Sequence, residues 1–423
     1  SSVVILRPNY KNGLPEIGSL ISIYKTVEQM IDEGKVLAAA TPGYGGVAEA
    51  LFKMCVGNHV GLQLSNDIDL NDLFKPAYGA VILELLDASA GEFLGFTTVD
   101  YTLEAEGKAI DLARLQELWE QKLEPVFPYR KAGEFVPALE HDCPANKRVA
   151  PAVRLATPRV VIPVFPGTNC DYDTAKAFRN AGAEVTTSVL CNLGGDDILR
   201  SIAQMKEHIR RAHIFVLCGG FSSGDEPDGS AKFIVNVLNN KDIREEIHAL
   251  LDRGGLILGI CNGFQALVKS GLLPYGRLGM VTKDSPTLFR NDVNRHISQI
   301  VSTRVSTLNS PWLAGFELGE VHSIAVSHGE GKFVVSEELA KELFANGQVA
   351  FQYVDAEGRV TAEAPYNPNG SSYAIEGIVS RDGRILGKMG HTERYGKNLF
   401  KNIAGNKEQA LFRNAVEYFR KSK

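Results

Sequence analysis

The stretch Leu256-Ile257-Leu258-Gly259-Ile260-Cys261-Asn262-Gly263-Phe264-Gln265-Ala266-Leu267 decides how the chain is read. An apolar run of strand length meets Gly-x-Cys-x-Gly, and a helical pattern continues through Val268. A strand, a sharp turn and a helix are therefore expected, with Cys261 on the turn. Glycines two places to either side allow the tight backbone approach such a turn needs. The first amides of the helix then face the thiol, and their positive end favours both a thiolate and a developing oxyanion. This is the cysteine form of the Gly-x-Ser-x-Gly elbow and points to Cys261 as a nucleophile. The plainer reading is an inert thiol between apolar neighbours, so the rest of the chain has to decide.

Upstream, from Arg159, strand and helix alternate, which is the signature of a doubly wound, mostly parallel α/β sheet. Val160 to Phe165 is a strand ending in Pro166-Gly167-Thr168-Asn169-Cys170. A helix over 172–181 and a strand over 184–190 follow, then a helix over 198–210 and the strand Ile214-Phe215-Val216-Leu217. That strand ends in Cys218-Gly219-Gly220-Phe221-Ser222-Ser223-Gly224-Asp225. Helices from Ala231 and from Arg244 lead to the elbow. Active sites of such sheets lie at the carboxyl ends of the strands, so these loops converge on one crevice. Gly219-Gly220 is either a flexible turn or one half of an oxyanion hole, with the Asn262 N–H as the other half. Cys170 and Cys218 lack the glycine bracket and are read as packing residues.

Downstream, Ile385 to Gly390 brings a strand to its end at His391-Thr392-Glu393-Arg394. In an extended segment residues two apart face the same side, so Glu393 can orient the His391 imidazole as a base for Cys261. His328, in Ser327-His328-Gly329-Glu330-Gly331, is the rival base; its glycines fit better a loop approached by ligand.

Residues 1–107 read as a smaller α+β domain. Its strands are expected at 3–6, 36–40, 80–85 and 96–99, and its helices at 18–31 and 47–55. The turn holding Gly45 and Gly46 has two readings, a phosphate cradle or a plain tight turn, and it lacks the Lys-Ser/Thr ending of a P-loop. Residues 108–157 are expected to be a linker. They hold a charged helix over 112–123 and then Pro125, Pro128, Pro137, Pro144 and Pro151. His141-Asp142-Cys143 lacks further ligands and reads as a solvated loop, and no metal site is expected.

The 423 residues, 44% hydrophobic and 22% charged, suit a globular chain of two or three domains. A net charge of −5 with no basic run gives no reason to expect nucleic acid or a membrane surface as partner. No apolar segment is long enough to span a bilayer and no signal pattern opens the chain. Six scattered cysteines without a C-x-x-C pair argue for a reducing, cytoplasmic setting.

With these residues in place, the chain from about Arg159 onward resembles the class I (triad) glutamine amidotransferase domain of the phosphoribosylformylglycinamidine synthase family. The resemblance rests on Pro166–Asp171, Gly219–Ser222 with Gly224-Asp225, Gly259–Gln265, His328–Gly331 and His391–Arg394, all in the family's order. The family often has Met-Pro-His-Pro-Glu-Arg where this chain has Met389-Gly390-His391-Thr392-Glu393-Arg394, which bears on the stiffness of that loop. Less sharply, Gly45–Leu51 and Gly57–Gly61 resemble the end of an aminoimidazole-ribonucleotide-synthetase-like unit, which suggests a C-terminal fragment or processed chain.

The resemblance implies a triad of Cys261, His391 and Glu393, and an oxyanion hole from Gly220 or Phe221 with Asn262. It implies glutamine binding by Gln265, with His328 and Glu330 bordering the glutamine pocket or the ammonia path. It also implies a glutaminase domain, 158–423, without a cofactor of its own. A synthetase half would be the partner, using ATP and Mg2+ on formylglycinamide ribonucleotide. The other expectations are a docking or allosteric module idle without that half, and a cysteine hydrolase of another substrate.

Overall fold

The computed structural model describes residues 1–87, 90–126, 139–144, 151, 153–223, 230–401 and 403–420. Pro128, Pro137 and Gly224-Asp225, singled out above, lie outside them, as does much of the expected linker. The chain forms two compact units, Ser1–Pro128 with Asn398–Ile403, and Tyr129–Lys397 with Ala404–Lys423. Among the described residues no helix is long and apolar enough to cross a membrane.

The larger unit is built on a nine-stranded sheet. Its spatial order is Glu184–Val189, Arg159–Val164, Ile214–Leu217, Leu256–Ile260, Ile385–Lys388, Ile375–Val379, Val349–Val354, Ile297–Val305 and Val321–His328. The first five strands are mutually parallel. The last four extend the sheet antiparallel. Helices over Asp171–Asn180, Gly195–Arg211, Lys241–Asp252 and Asn262–Ser270 alternate with the parallel strands. Strands covered on both faces read as unbroken apolar runs, and every residue of Ile214–Leu217 and Leu256–Ile260 is buried. Val321–His328 instead buries every second residue, the mark of a strand with one face packed. Register pairs Leu217 with Gly259 and Ile260 with Lys388. The loops that follow Leu217, Ile260 and Lys388 therefore leave the sheet side by side.

The smaller unit is a seven-stranded, mainly antiparallel sheet with helices Ile17–Asp32 and Gly46–Val56. Alternate residues of its strand Ser2–Leu6 face different cores, Val4 with Ile23 and Met30, Val3 and Ile5 with Val47 and Leu51.

Two expectations change here. The sheet does not stop at residue 107: Lys108–Asp111 is its last strand, and the helix Leu112–Glu120 buries Leu112 in the same core. All four residues of that edge strand are exposed, so no hydrophobic alternation announces it. The segment around His141 is not simply solvated either. Arg304, almost wholly buried, pairs at 2.5 Å with both Glu140 and Asp142. Cys143 is buried, its N–H donating to Ser306 O.

Candidate active site

Cys261 sits at φ +53°, ψ −110°, between the strand Leu256–Ile260 and the helix Asn262–Ser270. A non-glycine residue rarely adopts this conformation, and such strain gathers at functional positions. The flanking glycines make the turn possible. A Cβ on Gly263 would stand 2.0 Å from Leu217 O, and one on Gly259 2.7 Å from Gly263 O. Cys261 N–H donates to Lys388 O at 2.8 Å, tying the elbow to the strand that carries the histidine.

His391 and Glu393 meet at 2.6 Å, Nδ1 to Oε1, both buried. They do so on the single 3-10 turn Thr392–Arg394 rather than along an extended strand. The carboxylate accepts from Nδ1, which assigns the proton there and turns Nε2 toward exchange. Nε2 is buried and makes no hydrogen bond among the described residues. Burial opposes a charge on His391, but the Glu393 carboxylate and the Cys261 and Cys170 sulfurs hold its pKa well above the usual imidazole value. Burial likewise opposes ionised Glu393, and the His391 imidazole outweighs it, holding the carboxyl below its ordinary range. Gly219 marks the common point: a Cβ there would lie 2.8 Å from His391 Cε1, 3.2 Å from Cys261 Cβ and 3.3 Å from Cys170 Sγ.

Cys170, read above as packing, therefore belongs to the site. Its sulfur lies 3.7 Å from His391 Nδ1 and accepts from Arg394 Nη2 at 3.3 Å. The signal was present in the Pro166–Cys170 loop, which leaves the strand neighbouring Ile214–Leu217. Cys218 fits the packing reading, because burial pushes its thiol pKa well up. Among the described residues, Cys170, His391 and Glu393 form the cluster whose side chains resemble a metal-ligand set. The Arg394 guanidinium on the thiol and the His391–Glu393 hydrogen bond both oppose a cation there.

Of the two oxyanion candidates in the glycine loop, Phe221 is set aside by its hydrogen bond. Its N–H donates to Gly167 O at 2.9 Å. The Gly220 N–H makes no hydrogen bond among the described residues, and Asn262 opens the elbow helix close by.

The expected glutamine-binding side chains are already engaged. Gln265 donates through Nε2 to Glu330 O and accepts from Asn262 Nδ2 at 3.0 Å, so it braces the elbow helix. Glu330 Oε2 accepts from Ser230 N–H at 2.9 Å and anchors that loop. His328 shares a 3.0 Å bond between Nδ1 and Asn291 Oδ1, while Asn291 Nδ2 donates to His328 O and Arg295 O. Asn291 thus presents its oxygen, His328 Nδ1 carries the hydrogen, and Nε2 is left a buried acceptor. Burial, then the neighbouring His391, pushes the His328 pKa down to about 3. It stays neutral and is not placed as the base. Cys261 Sγ lies 3.7 Å from Ser327 O, so this loop borders the nucleophile by backbone.

Gly45 and Gly46 lie in the smaller unit and do not fit a phosphate. Gly45 N–H donates to the Glu49 carboxylate at 2.7 Å and Gly46 N–H to Gly43 O. A negative side chain already caps that helix.

A cysteine elbow, an imidazole fixed by a glutamate and a glycine-loop amide define a thiol hydrolase site of triad type. Residues 157–419 match the CobB/CobQ-like glutamine amidotransferase domain, and the chain belongs to that family. Phosphoribosylformylglycinamidine synthase subunit PurQ of Salinibacter ruber is 32% identical over 260 residues, covering 62% of this chain and 96% of that protein. The subunit of the same name from Methanococcus maripaludis is 34% identical over 282 residues, with 62% and 99% covered. The Thermotoga maritima PurLQS structure contains a chain 27% identical to this one, with 62% and 99% covered and a TM-score of 0.45.

Proposed function

We propose that this chain is the glutaminase component of a phosphoribosylformylglycinamidine synthase. It releases ammonia from glutamine for a synthetase partner, which uses ATP to turn formylglycinamide ribonucleotide into the amidine. The observation that carries the chemistry is the 2.6 Å His391–Glu393 bond at a common point with strained Cys261. The purine substrate and the partner rest on the relatives' name.

In the first half-reaction Cys261 sulfur attacks the side-chain amide carbon of glutamine. His391 Nε2 carries the proton it shares with the Cys261 sulfur and delivers it to the amide nitrogen, so the C–N bond breaks, ammonia leaves and a thioester remains. Gly220 and Asn262 N–H groups hold the carbonyl oxygen while it carries charge. Water, losing a proton to Nε2, then cleaves the thioester to glutamate and free thiol. No cofactor takes part on this chain; ATP and magnesium act on the synthetase partner, and a cytoplasmic setting suits free thiols.

A second reading, a docking module idle until the partner binds, is favoured by one feature. Cys261 is only 5% exposed, and His391 Nε2 makes no hydrogen bond among the described residues. The test is ammonia and glutamate release by the chain alone and with a synthetase subunit. Release by the chain alone supports the first reading, and release only after the subunit is added supports the second. No release in either case rejects both.

A further inference from the structure

Lys388 and Glu376 are an ion pair with no solvent access to either side chain, Nζ 3.4 Å from Oε1. Burying two charges costs desolvation that their attraction does not generally return, so a pair in this core calls for a reason. Among the described residues, the side-chain hydrogen bonds of the pair go to the residues either side of His391. Lys388 Nζ donates to Gly390 O at 3.0 Å and to Thr392 Oγ1 at 3.1 Å. Glu376 Oε1 accepts from Gly390 N–H at 2.6 Å. Thr392 Oγ1 in turn donates to Gln409 Oε1 at 2.6 Å. Gly390 is thus held by both its amide and its carbonyl, and Thr392 by its hydroxyl.

We propose that the buried Lys388–Glu376 pair is the positioning device for His391, fixing its turn by hydrogen bonds. A proline at position 390, the other way to stiffen this turn, is excluded while the pair is present. A Cβ there would lie 2.7 Å from Ile324 Cγ2 and 2.9 Å from both Glu376 Oε1 and Lys388 Nζ, and proline has no N–H for the carboxylate. Glycine at 390, loose by itself, is what the pair and the Ile324 side chain require; the pair in turn supplies the stiffness glycine lacks. Neither residue touches substrate. Both act through the imidazole, whose Nε2 must face Cys261 while Nδ1 stays on Glu393.

The proposal rests on the glutaminase reading, and its test separates the two. Glutamine hydrolysis is measured for the full chain with its synthetase subunit. The variants are Lys388→Met/Glu376→Ala, the same variant carrying Gly390→Pro/Thr392→Pro, and the prolines alone. Removing the pair is expected to lower kcat by at least about tenfold, the scale of a misplaced catalytic group, with KM within about twofold. The prolines should restore most of that loss in the pairless chain and damage the native one. A pairless chain with native kcat, or prolines that act equally in both backgrounds, overturns the proposal. If the pairless chain does not fold, Thr392→Val removes one Lys388 acceptor and should still lower kcat severalfold at constant KM; unchanged kcat there overturns it too. If the native chain has no activity that Cys261→Ser removes, the glutaminase reading fails and the device with it. If that activity exists and ignores the pair, only the device fails.

Discussion

His391 Nδ1 and Glu393 Oε1 lie 2.6 Å apart inside the protein, on one short turn that leaves the sheet beside the Cys261 elbow. The imidazole is thereby oriented and charged by its neighbour two residues on. Glu393→Gln keeps the shape and removes the charge. By analogy with other triads, kcat should fall by roughly 10²–10⁴. His391 has a folded pKa above its ordinary 6.5, so its stabilising share is complete below that pH and is lost as pH rises through the folded value. Glu393 is shifted down from 4.5, so its share is present above that pH and lost as pH falls through the folded value. The melting-temperature gap between native chain and Glu393→Gln should therefore be widest between pH 4.5 and 6.5 and narrow on both sides, which thermal melts across pH will check.

The two cysteines beside His391 should separate cleanly. Cys261→Ser and Cys261→Ala should lose at least about 10³-fold in glutamine hydrolysis, as expected on losing a nucleophile. Cys170→Ala should retain activity within about tenfold, because its sulfur lies on the Nδ1 side. Steady-state kinetics decides this.

Backbone strain at Cys261 predicts an unusual stability order. At φ +53° alanine keeps the strain and glycine relieves it. Cys261→Gly should be more stable than Cys261→Ala by about 1 kcal/mol, although both are inactive. Denaturant titration measures the difference, and the reverse order would contradict the strained turn.

Two glycines should fail in different ways. Gly263→Ala drives a Cβ into the Leu217 carbonyl and should cost about 1–3 kcal/mol of stability. Gly219→Ala instead meets His391 Cε1 at 2.8 Å, so its main effect should be on kcat. Melting and kinetics measured on both variants test the contrast.

His328 should make the protein acid-sensitive. Its folded pKa of about 3 lies below the ordinary 6.5, so the unfolded chain takes up a proton first and stability falls as pH drops through that range. Between pH 6.5 and 5 the loss is about 2 kcal/mol. His328→Gln should flatten the pH slope of stability there, whatever its effect on stability at pH 7.

The parallel core and the elbow were legible because their signals are local. Five consecutive apolar residues make Leu256–Ile260, and all of them are buried. The helix Lys241–Asp252 begins three residues before the expected Arg244 because the Asn240 side chain caps Asp242 and Ile243 N–H, a start signal the sequence does contain. What was not legible depends on partners distant in sequence. The Cys170 thiol meets a histidine 221 residues away. Arg304 draws Glu140 and Asp142 out of an otherwise unremarkable loop. Gln265 and Glu330 have residue types suited to a ligand, but the fold engages both with its own backbone.

The most direct test is mass spectrometry of the chain after reaction with a diazoketone analogue of glutamine. A single adduct on the Cys261 peptide, suppressed by glutamine and absent in Cys261→Ser, is the expected result. An adduct on Cys170, or one that glutamine does not suppress, would contradict the assignment of Cys261 as the glutaminase nucleophile.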